Sequence, residues 1–420
     1  MKLKCENIGK LSSAEVEINT ITLIAGLNST GKSTVGKLLY SIFNSFYNIE
    51  KESLERIAIN IKRKLLEDDI FFNEPDGIDD CVNTLLDKRG NTGLDEIKTI
   101  IKQYLGEKFL KDKKENLFSD IYELLYLSDD DLYKSILQNR LYSEFNEQIQ
   151  NIYSKKKDSS IILTVAKKDI KVSINNNNVS GIDNFENLKT EVIYIDDPFI
   201  IDSLSPHYRY YSQTGHRGSL YRKLRPSFKE DINIDTAIKE ILTTKKLQNI
   251  YEKIDTACNG NIISNSGKGF TYQLEGSRKK LSIVNLSTGL KTFLIIKTLL
   301  LNGSLETNGT LILDEPEIHL HPQWQNLLAE IIVLIQVEYG MHILINSHSP
   351  YFIDAIDKFS QIYGIRKTCK FYLTKESENR ESSTLLDVSE DLTGIFDLLY
   401  EPMQEMENKI ALHLEEHEDD

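Results

Sequence analysis

Two adjacent carboxylates are the residues best placed to do chemistry. Asp314 and Glu315 follow the apolar run 310–313, which has the pattern of a parallel strand buried between helix layers. The carboxyl end of such a strand faces the ligand crevice of an open α/β sheet. We therefore predict that Asp314 holds Mg²⁺ and that Glu315 orients and polarises an attacking water. The plainer alternative is two exposed acids in a turn after a strand.

A glycine-rich segment near the N-terminus has the spacing of a phosphate-binding loop. Gly26-x-x-x-x-Gly31-Lys32-Ser33 follows strand-like residues and precedes apolar residues at helical spacing. Such a loop points its backbone N–H groups at phosphate oxygens, and the helix that follows adds its N-terminal dipole. Lys32 is predicted to reach the β- and γ-phosphates of ATP, and Ser33 to ligate Mg²⁺. The predicted nucleotide-binding residues are Gly26, Leu27, Asn28, Ser29, Thr30, Gly31, Lys32, Ser33 and Thr34.

Two further segments carry polar residues at the ends of predicted elements. Ser287 and Gly289 stand at the start of an apolar helix, where a hydroxyl and backbone N–H groups can face a phosphate. His348 follows an apolar strand, where its imidazole can contact a γ-phosphate. Each has an ordinary alternative, a helix cap for the first and a strand end for the second.

The elements that must position these residues alternate between strands and helices. Strand-like runs at 309–313 and 342–346 are separated by a helix-like run at 322–338, which predicts a parallel, doubly wound sheet. The fold class is therefore α/β. We divide the chain into a split head at 1–45 and 160–400, a helical insertion at 46–159, and a C-terminal helix with an acidic tail at 401–420.

Composition restricts the class of protein. The chain of 420 residues has 50 Lys and Arg against 64 Asp and Glu, a net charge of −14, so nucleic-acid binding by bulk charge is excluded. Four cysteines lie far apart with no CxxC, which argues against a thiolate zinc site and a disulfide framework. With no signal segment and no apolar run of membrane-spanning length, we predict a cytoplasmic protein.

A local basic stretch at 207–229 departs from this acidic background. It contains no acid and interleaves Arg and Lys with aromatic residues. One interpretation is a nucleic-acid contact, since Arg binds phosphate bidentately and aromatic rings stack on bases. The other is a basic surface facing the acidic helices of the chain itself or a partner protein. The candidate contact residues are Arg217, Arg222, Lys223 and Arg225.

A histidine pair lies in the loop after the two carboxylates. His319 and His321 alternate on one side of an extended loop and are a candidate metal pair. No HExxH occurs and no cysteine is near, so we favour a role in shaping the loop.

The four chemical segments, in this order, resemble the ABC-type ATPases of the SMC/RecF/OLD group. Residues 26–34 resemble the Walker A loop in its GxNxxGKST form, 286–291 the signature motif, and 311–315 Walker B. The run DEPEIHLHP from Asp314 is similar to a segment of OLD-type heads, and His348 corresponds to the switch histidine. The resemblance implies a P-loop NTPase of ABC type with an antiparallel β subdomain, ATP as ligand and Mg²⁺ as its metal.

The resemblance also implies partners. In this group Ser287 and Gly289 act in trans on ATP held by a second head, which implies a head-to-head dimer or a higher oligomer. The sequence departs from the motifs of this group at two places. Leu290 replaces the usual Glu, and the segment 194–198 replaces the glutamine of the Q-loop, so Asp197 becomes a candidate contact to water or Mg²⁺.

The length after His348 bears on function. About seventy residues follow it, too few for the TOPRIM nuclease domain of OLD proteins. The chain thus resembles ATPase components of anti-phage systems of the Septu and PARIS types. The first hypothesis is a regulatory ATPase that controls a separate effector such as a nuclease. The alternative is a RecF-like, DNA-binding ATPase of DNA maintenance. A transporter ATPase is disfavoured by Asn28 and by the DEPEIHLHP segment.

Overall fold

The computed structural model describes residues 1–66, 76–111, 116–205, 215–225, 247–265 and 269–417. These residues belong to two compact units. The head unit comprises Met1–Asn44, Arg140–Asn184 and Thr190–Asp420. The helical unit comprises Ser45–Asn139 and Phe185–Lys189.

The head unit contains an eleven-stranded sheet whose parallel part carries the predicted chemical segments. The five parallel strands are adjacent and run in the order β13-β3-β12-β11-β7. All residues of β3 and β7 are buried, as expected for a parallel sheet covered on both faces. Their bounds are β3 (Ile21–Ala25), β7 (Val192–Ile195), β11 (Thr310–Asp314), β12 (His342–Ser347) and β13 (Lys370–Glu376).

The rest of this sheet is largely antiparallel. The order continues from β13 through β14 and β2 to β1, β4, β5 and β6, and only the β14–β2 pairing is parallel. A turn at 176–177 connects β5 and β6. The bounds are β1 (Lys2–Ile8), β2 (Leu11–Glu17), β4 (Asp158–Val165), β5 (Lys168–Asn175), β6 (Asn178–Asp183) and β14 (Ser383–Asp387).

A three-stranded sheet and a set of helices complete the head unit. The small sheet pairs β8 (Gly260–Asn265), β9 (Gly269–Leu274) and β10 (Lys280–Ser282) in antiparallel order. The helices are α1 (Lys32–Phe46), α7 (Gly215–Leu224), α8 (described over 247–257), α9 (Thr288–Leu301), α10 (Pro322–Tyr339), α11 (Pro350–Ile362) and α12 (Thr393–His417). Short 3-10 helices occupy Pro198–Leu204, Ile283–Asn285 and Arg366–Thr368. The predicted fold, an α/β P-loop head with an antiparallel part and helices inserted into it, is confirmed.

The helical unit has a core of its own. Ile57, Ile61, Leu85, Ile101 and Ile121 are buried together, which accounts for the helical spacing of apolar residues in this region. Its elements are α2 (Ile49–Leu66), α3 (Ile78–Asp87), α4 (Leu94–Lys111), α5 (Leu117–Leu125) and α6 (Asp129–Phe145). Gly106 has φ 83° and interrupts α4, a conformation that glycine adopts readily.

Two boundaries differ from the sequence division. The last turns of α6 and the start of β4 lie in the head unit, so residues 140–159 are not part of the helical unit. Helical periodicity alone gives no sign of which core a helix joins. Position 401 falls inside α12, which continues through Pro402. The acidic end 418–420 and residues 226–246 lie outside the described residues.

No helix in the described part of the chain is both long and apolar enough to cross a membrane.

Candidate functional site

The glycine-rich loop connects β3 directly to α1. Gly26 has φ 153° and Gly31 has φ 93°, values that favour glycine. A Cβ on Gly26 would lie 1.7 Å from Thr374 Oγ1, so a side chain cannot fit there. The backbone conformation therefore favours glycine at both positions of the predicted motif, and at Gly26 the lack of space for a side chain favours it as well. Glycine at these positions also lets the backbone approach a phosphate.

Lys32 is folded into this loop. Its side chain is 4% exposed, and Nζ donates to the carbonyl oxygens of Gly26 at 3.0 Å and Leu27 at 2.8 Å. Nζ also lies 3.7 Å from Glu315 Oε1. Burial lowers the pKa of Lys32 from its ordinary value. A buried ammonium group with carbonyl partners is placed to exchange those partners for phosphate oxygens.

A threonine pair supports the loop from β13. Thr374 Oγ1 donates to Thr30 Oγ1 at 2.8 Å, and Thr30 Oγ1 donates to the carbonyl oxygen of Leu27 at 2.8 Å. Both threonines are buried. The sequence analysis did not find Thr374, because it did not predict β13.

Asp314 ends β11, as predicted, and both of its carboxylate oxygens accept hydrogen bonds. Tyr194 Oη donates to Oδ2 at 2.8 Å, and Asn346 Nδ2 donates to Oδ1 at 3.0 Å. Tyr194 lies on β7 and Asn346 on β12, the strands on either side of β11. The carboxylate is thus held by both neighbouring strands at the carboxyl edge of the sheet.

Glu315 lies against the other two predicted catalytic side chains. Its Oε1 is 3.1 Å from His348 Nδ1 and 3.7 Å from Lys32 Nζ. Its φ of 50° is in the left-handed region, and its backbone N–H donates to the carbonyl oxygen of Asn346 at 2.9 Å. The structure therefore brings Lys32, Glu315 and His348 together from three segments of the chain.

Glu317 is a buried acid next to this group. It is 3% exposed and accepts a hydrogen bond from Ser347 Oγ. Burial raises the pKa of Glu317 to about 6. The repeated acid in the segment DEPE was visible in the sequence, but its burial depends on packing against β12.

The predicted signature residues lie at the start of α9. Ser287 is its exposed N-cap residue. Gly289 is buried, and a Cβ there would lie 2.9 Å from both Leu320 and Trp324. Lys291 is also buried, and its Nζ pairs with Asp202 Oδ1 at 2.7 Å. Gly289 therefore has a packing role, while Ser287 remains accessible.

The described part of the basic stretch is paired with acids of the head unit. Arg217 binds Asp196 with N–O distances down to 2.7 Å, and Lys223 Nζ lies 2.7 Å from Glu191. The guanidinium carbon of Arg225 lies 5.9 Å from the ring centroid of Tyr221, and Arg222 lies on α7. Residues 207–214 and 226–229 are outside the described residues. Arg217 and Lys223 are thus paired with acids of the chain itself, although neither acid lies on a helix.

One histidine of the pair, His321, has a structural role in its own segment. His321 is the N-cap of α10 and accepts from the backbone N–H of Gln323 at 3.3 Å. His319 is exposed with φ 66°. Among the residues the structure describes, no group of three or more His, Cys, Asp or Glu side chains is arranged to hold a metal ion.

Comparison with known proteins identifies a family. The model of the AAA_21 family, described as "AAA domain, putative AbiEii toxin, Type IV TA system", matches residues 21–354, most of the chain. Among solved structures, an SMC head bound to the C-winged helix domain of ScpA is similar, with 10% identity, a TM-score of 0.45, and coverage of 92% of this chain and 97% of that one.

Two further solved structures are similar over most of their length. The SMC head domain from Thermotoga maritima has 10% identity and a TM-score of 0.36, covering 92% of this chain and 98% of that chain. The ATP-binding cassette of an ABC transporter in its ADP conformation has 12% identity and a TM-score of 0.33, with 96% of both chains covered.

Proposed function

The chain belongs to this family of AAA domains, and from that premise we propose that its head unit binds and hydrolyses ATP. The observation that carries the proposal is the grouping of Lys32, Glu315 and His348, with Nζ at 3.7 Å and Nδ1 at 3.1 Å from Glu315 Oε1. A phosphate-binding cation, a candidate base and an imidazole converge where a γ-phosphate would lie. The nucleotide contacts are assigned to the loop 26–34.

Each side chain has a separate role in this proposal. Lys32 exchanges the carbonyl oxygens of Gly26 and Leu27 for β- and γ-phosphate oxygens. Glu315 orients the attacking water and accepts its proton. His348 contacts the γ-phosphate. Each role follows from the chemistry of the group and from its measured neighbours.

The site has a donor set that suits Mg²⁺, which prefers oxygen ligands. Ser33 and Asp314 would hold the ion, and Asp314 has the orientation of its carboxylate fixed by Tyr194 and Asn346. When bound, Mg²⁺ neutralises charge on the β- and γ-phosphates.

We propose further that two copies pair through their heads. Ser287 is exposed at the N-terminus of α9, a position that can present its hydroxyl and backbone N–H groups to phosphate of a second copy. Gly289 packs closely against Trp324, and this contact fixes the start of α9, where Ser287 lies. The pairing itself is assigned from the resemblance of the ordered motifs.

The proposed role is regulatory: the ATPase controls a separate effector, such as a nuclease, in anti-phage defence. The family description names a putative toxin of a Type IV TA system. The helical unit, with its own core, offers a surface outside the chemical segments for a second protein. Pairing and separation of heads would give two states with different affinity for that protein.

The test is protection of cells against phage by the native operon. Loss of protection in Lys32→Ala, together with co-purification of one operon-encoded protein in a nucleotide-dependent way, is the expected result. Wild-type protein that hydrolyses ATP, gives no protection and binds DNA directly would favour the RecF-like alternative.

A further inference from the structure

A buried cluster of charged and aromatic side chains lies behind Asp314. It links Asp314 to Tyr194, Tyr194 to His216, and His216 to Glu144 and Asp196. All of these residues belong to the head unit. The sequence analysis assigned no role to Tyr194, His216 or Glu144.

The first link is the hydrogen bond from Tyr194 to Asp314. Tyr194 is 1% exposed. Its hydroxyl donates to Asp314 Oδ2 at 2.8 Å, because an ionised carboxylate can only accept. With Asn346 bonded to Oδ1, the carboxylate of Asp314 cannot rotate without breaking one of these two part-buried hydrogen bonds.

The second link is the stack of His216 on Tyr194. The ring centroids are 4.3 Å apart and the ring planes differ by 24°. The ring of Tyr40 meets His216 edge-on, with centroids 5.9 Å apart. The stack on His216 holds the ring of Tyr194, and with it the direction of the hydroxyl, while Tyr40 holds the ring of His216 from its edge.

The third link is a carboxylate at each nitrogen of His216. Nδ1 lies 2.6 Å from Glu144 Oε2, and Nε2 lies 3.1 Å from Asp196 Oδ2. Glu144 also accepts the backbone N–H of His216 at 2.8 Å, so it holds both the ring and the main chain. Both ring nitrogens can be donors only in the imidazolium form.

Two carboxylates, one imidazole and one guanidinium meet around His216. Arg217 Nη2 donates to Asp196 Oδ2 at 2.7 Å, and the same oxygen lies 3.1 Å from His216 Nε2. A buried ion is costly without its partner, so the four charged groups are stable as a set. This set fixes one orientation for the imidazole that supports Tyr194.

We propose that Tyr194, His216 and Glu144 are positioning residues for the Mg²⁺ site. His216 is clamped by Glu144 and Asp196, it fixes the ring of Tyr194, and Tyr194 fixes the carboxylate of Asp314. The inference rests on the proposed ATPase activity and adds to it the residues that orient its metal ligand. Partners of this kind behind a metal ligand typically change metal affinity about 10–100-fold when they are removed.

Tyr194→Phe is the sharpest test, because it keeps the ring and its stack and removes only the hydroxyl. The expected result is that the Mg²⁺ concentration for half-maximal ATP hydrolysis rises roughly 10-fold or more, while kcat at saturating Mg²⁺ changes less. Mn²⁺ binding in the presence of ADP, followed by electron paramagnetic resonance, should weaken by a similar factor. This second readout does not depend on turnover.

Glu144→Gln tests the other end of the series of contacts that begins at Asp314. Glu144 precedes His216 by 72 positions in the sequence. The substitution removes one charge and should weaken Mn²⁺ binding in the same direction as Tyr194→Phe. The matched control is Asp255→Asn, which breaks the 2.6 Å pair with Lys297 in the same head unit. That variant should lose stability but keep the metal affinity of the wild type.

The outcomes separate the inference from the proposed function. Unchanged Mn²⁺ affinity in Tyr194→Phe, with wild-type protein that hydrolyses ATP in a metal-dependent way, overturns the positioning role alone. An equal shift in Asp255→Asn overturns it as well, since the effect is then one of general destabilisation. Wild-type protein with neither ATP hydrolysis nor Mn²⁺·ADP binding overturns the proposed function first.

Discussion

The hydroxyl oxygen of Thr374 lies 1.7 Å from the point where a Cβ on Gly26 would be. A strand near the C-terminus therefore restricts the first residue of the phosphate loop. The same hydroxyl donates to Thr30, which in turn donates to Leu27, so the loop is supported by β13 as well as by β3.

Gly26→Ala should destroy nucleotide binding, because the added methyl meets Thr374 and φ is 153°. Thr374→Val removes one hydrogen bond, worth about 1 kcal/mol, and should weaken binding several-fold. Equilibrium binding of a fluorescent ATP analogue measures both. Wild-type affinity in Gly26→Ala would show that the loop does not adopt this conformation.

If Ser287 of one copy acts on ATP held by a second copy, mixing two variants that are impaired at different sites should restore part of the activity. Ser287→Arg should bind nucleotide normally but block pairing, whereas Lys32→Ala should lose binding at its own loop. Mixed subunits contain one intact composite site, so activity should recover in part. Steady-state ATPase assays of the two variants, alone and mixed, measure this; no recovery between subunits shown to exchange would contradict trans action.

The buried imidazole gives a pH prediction for stability. The carboxylates of Glu144 and Asp196 hold the pKa of His216 at about 9, above its ordinary 6.5, against the opposing effect of burial and with Arg217 nearby. A raised pKa contributes stability that is complete below pH 6.5 and is lost as pH rises through 9. The contribution amounts to about 3 kcal/mol, from 1.36 kcal/mol per pKa unit.

Urea unfolding of wild type and His216→Gln between pH 6 and pH 10 measures this contribution. The difference in unfolding free energy between the two proteins should shrink as pH rises. A difference that does not depend on pH would mean that His216 is not charged in the folded protein.

The basic stretch gives a prediction about nucleic acid. Arg217 and Lys223 are paired with Asp196 and Glu191, so Arg225→Glu, which leaves both pairs in place, is the cleaner test. If the stretch contacts DNA, affinity should fall and the salt dependence of binding should become less steep. Filter binding at several salt concentrations decides this, and an unchanged salt slope removes the nucleic-acid interpretation.

Local patterns in the sequence were enough to predict the chemical segments. An apolar strand before Gly26 and another before Asp314 each leave their polar residues at the carboxyl edge of a parallel sheet, which follows from strand direction alone. The helical unit was likewise visible as a helix-like segment, although its boundary was not.

The supporting residues could not be predicted in this way. Thr374 lies on a strand whose pairing with β3 is a tertiary contact. Glu144 and His216 meet across 72 positions, and the acids that pair with Arg217 and Lys223 precede the basic stretch in the chain. Counting charges within a segment does not show partners that come from another segment.

The proposed function depends on Glu315 acting in ATP hydrolysis at the site formed with Lys32 and His348. The most direct measurement is single-turnover hydrolysis of radiolabelled ATP by Glu315→Gln, beside wild type and Lys32→Ala. Glu315→Gln should bind ATP as the wild type does and hydrolyse it roughly 100-fold or more slowly, the range expected for loss of a general base. Lys32→Ala should fail to bind. Hydrolysis at the wild-type rate by Glu315→Gln would contradict the assignment.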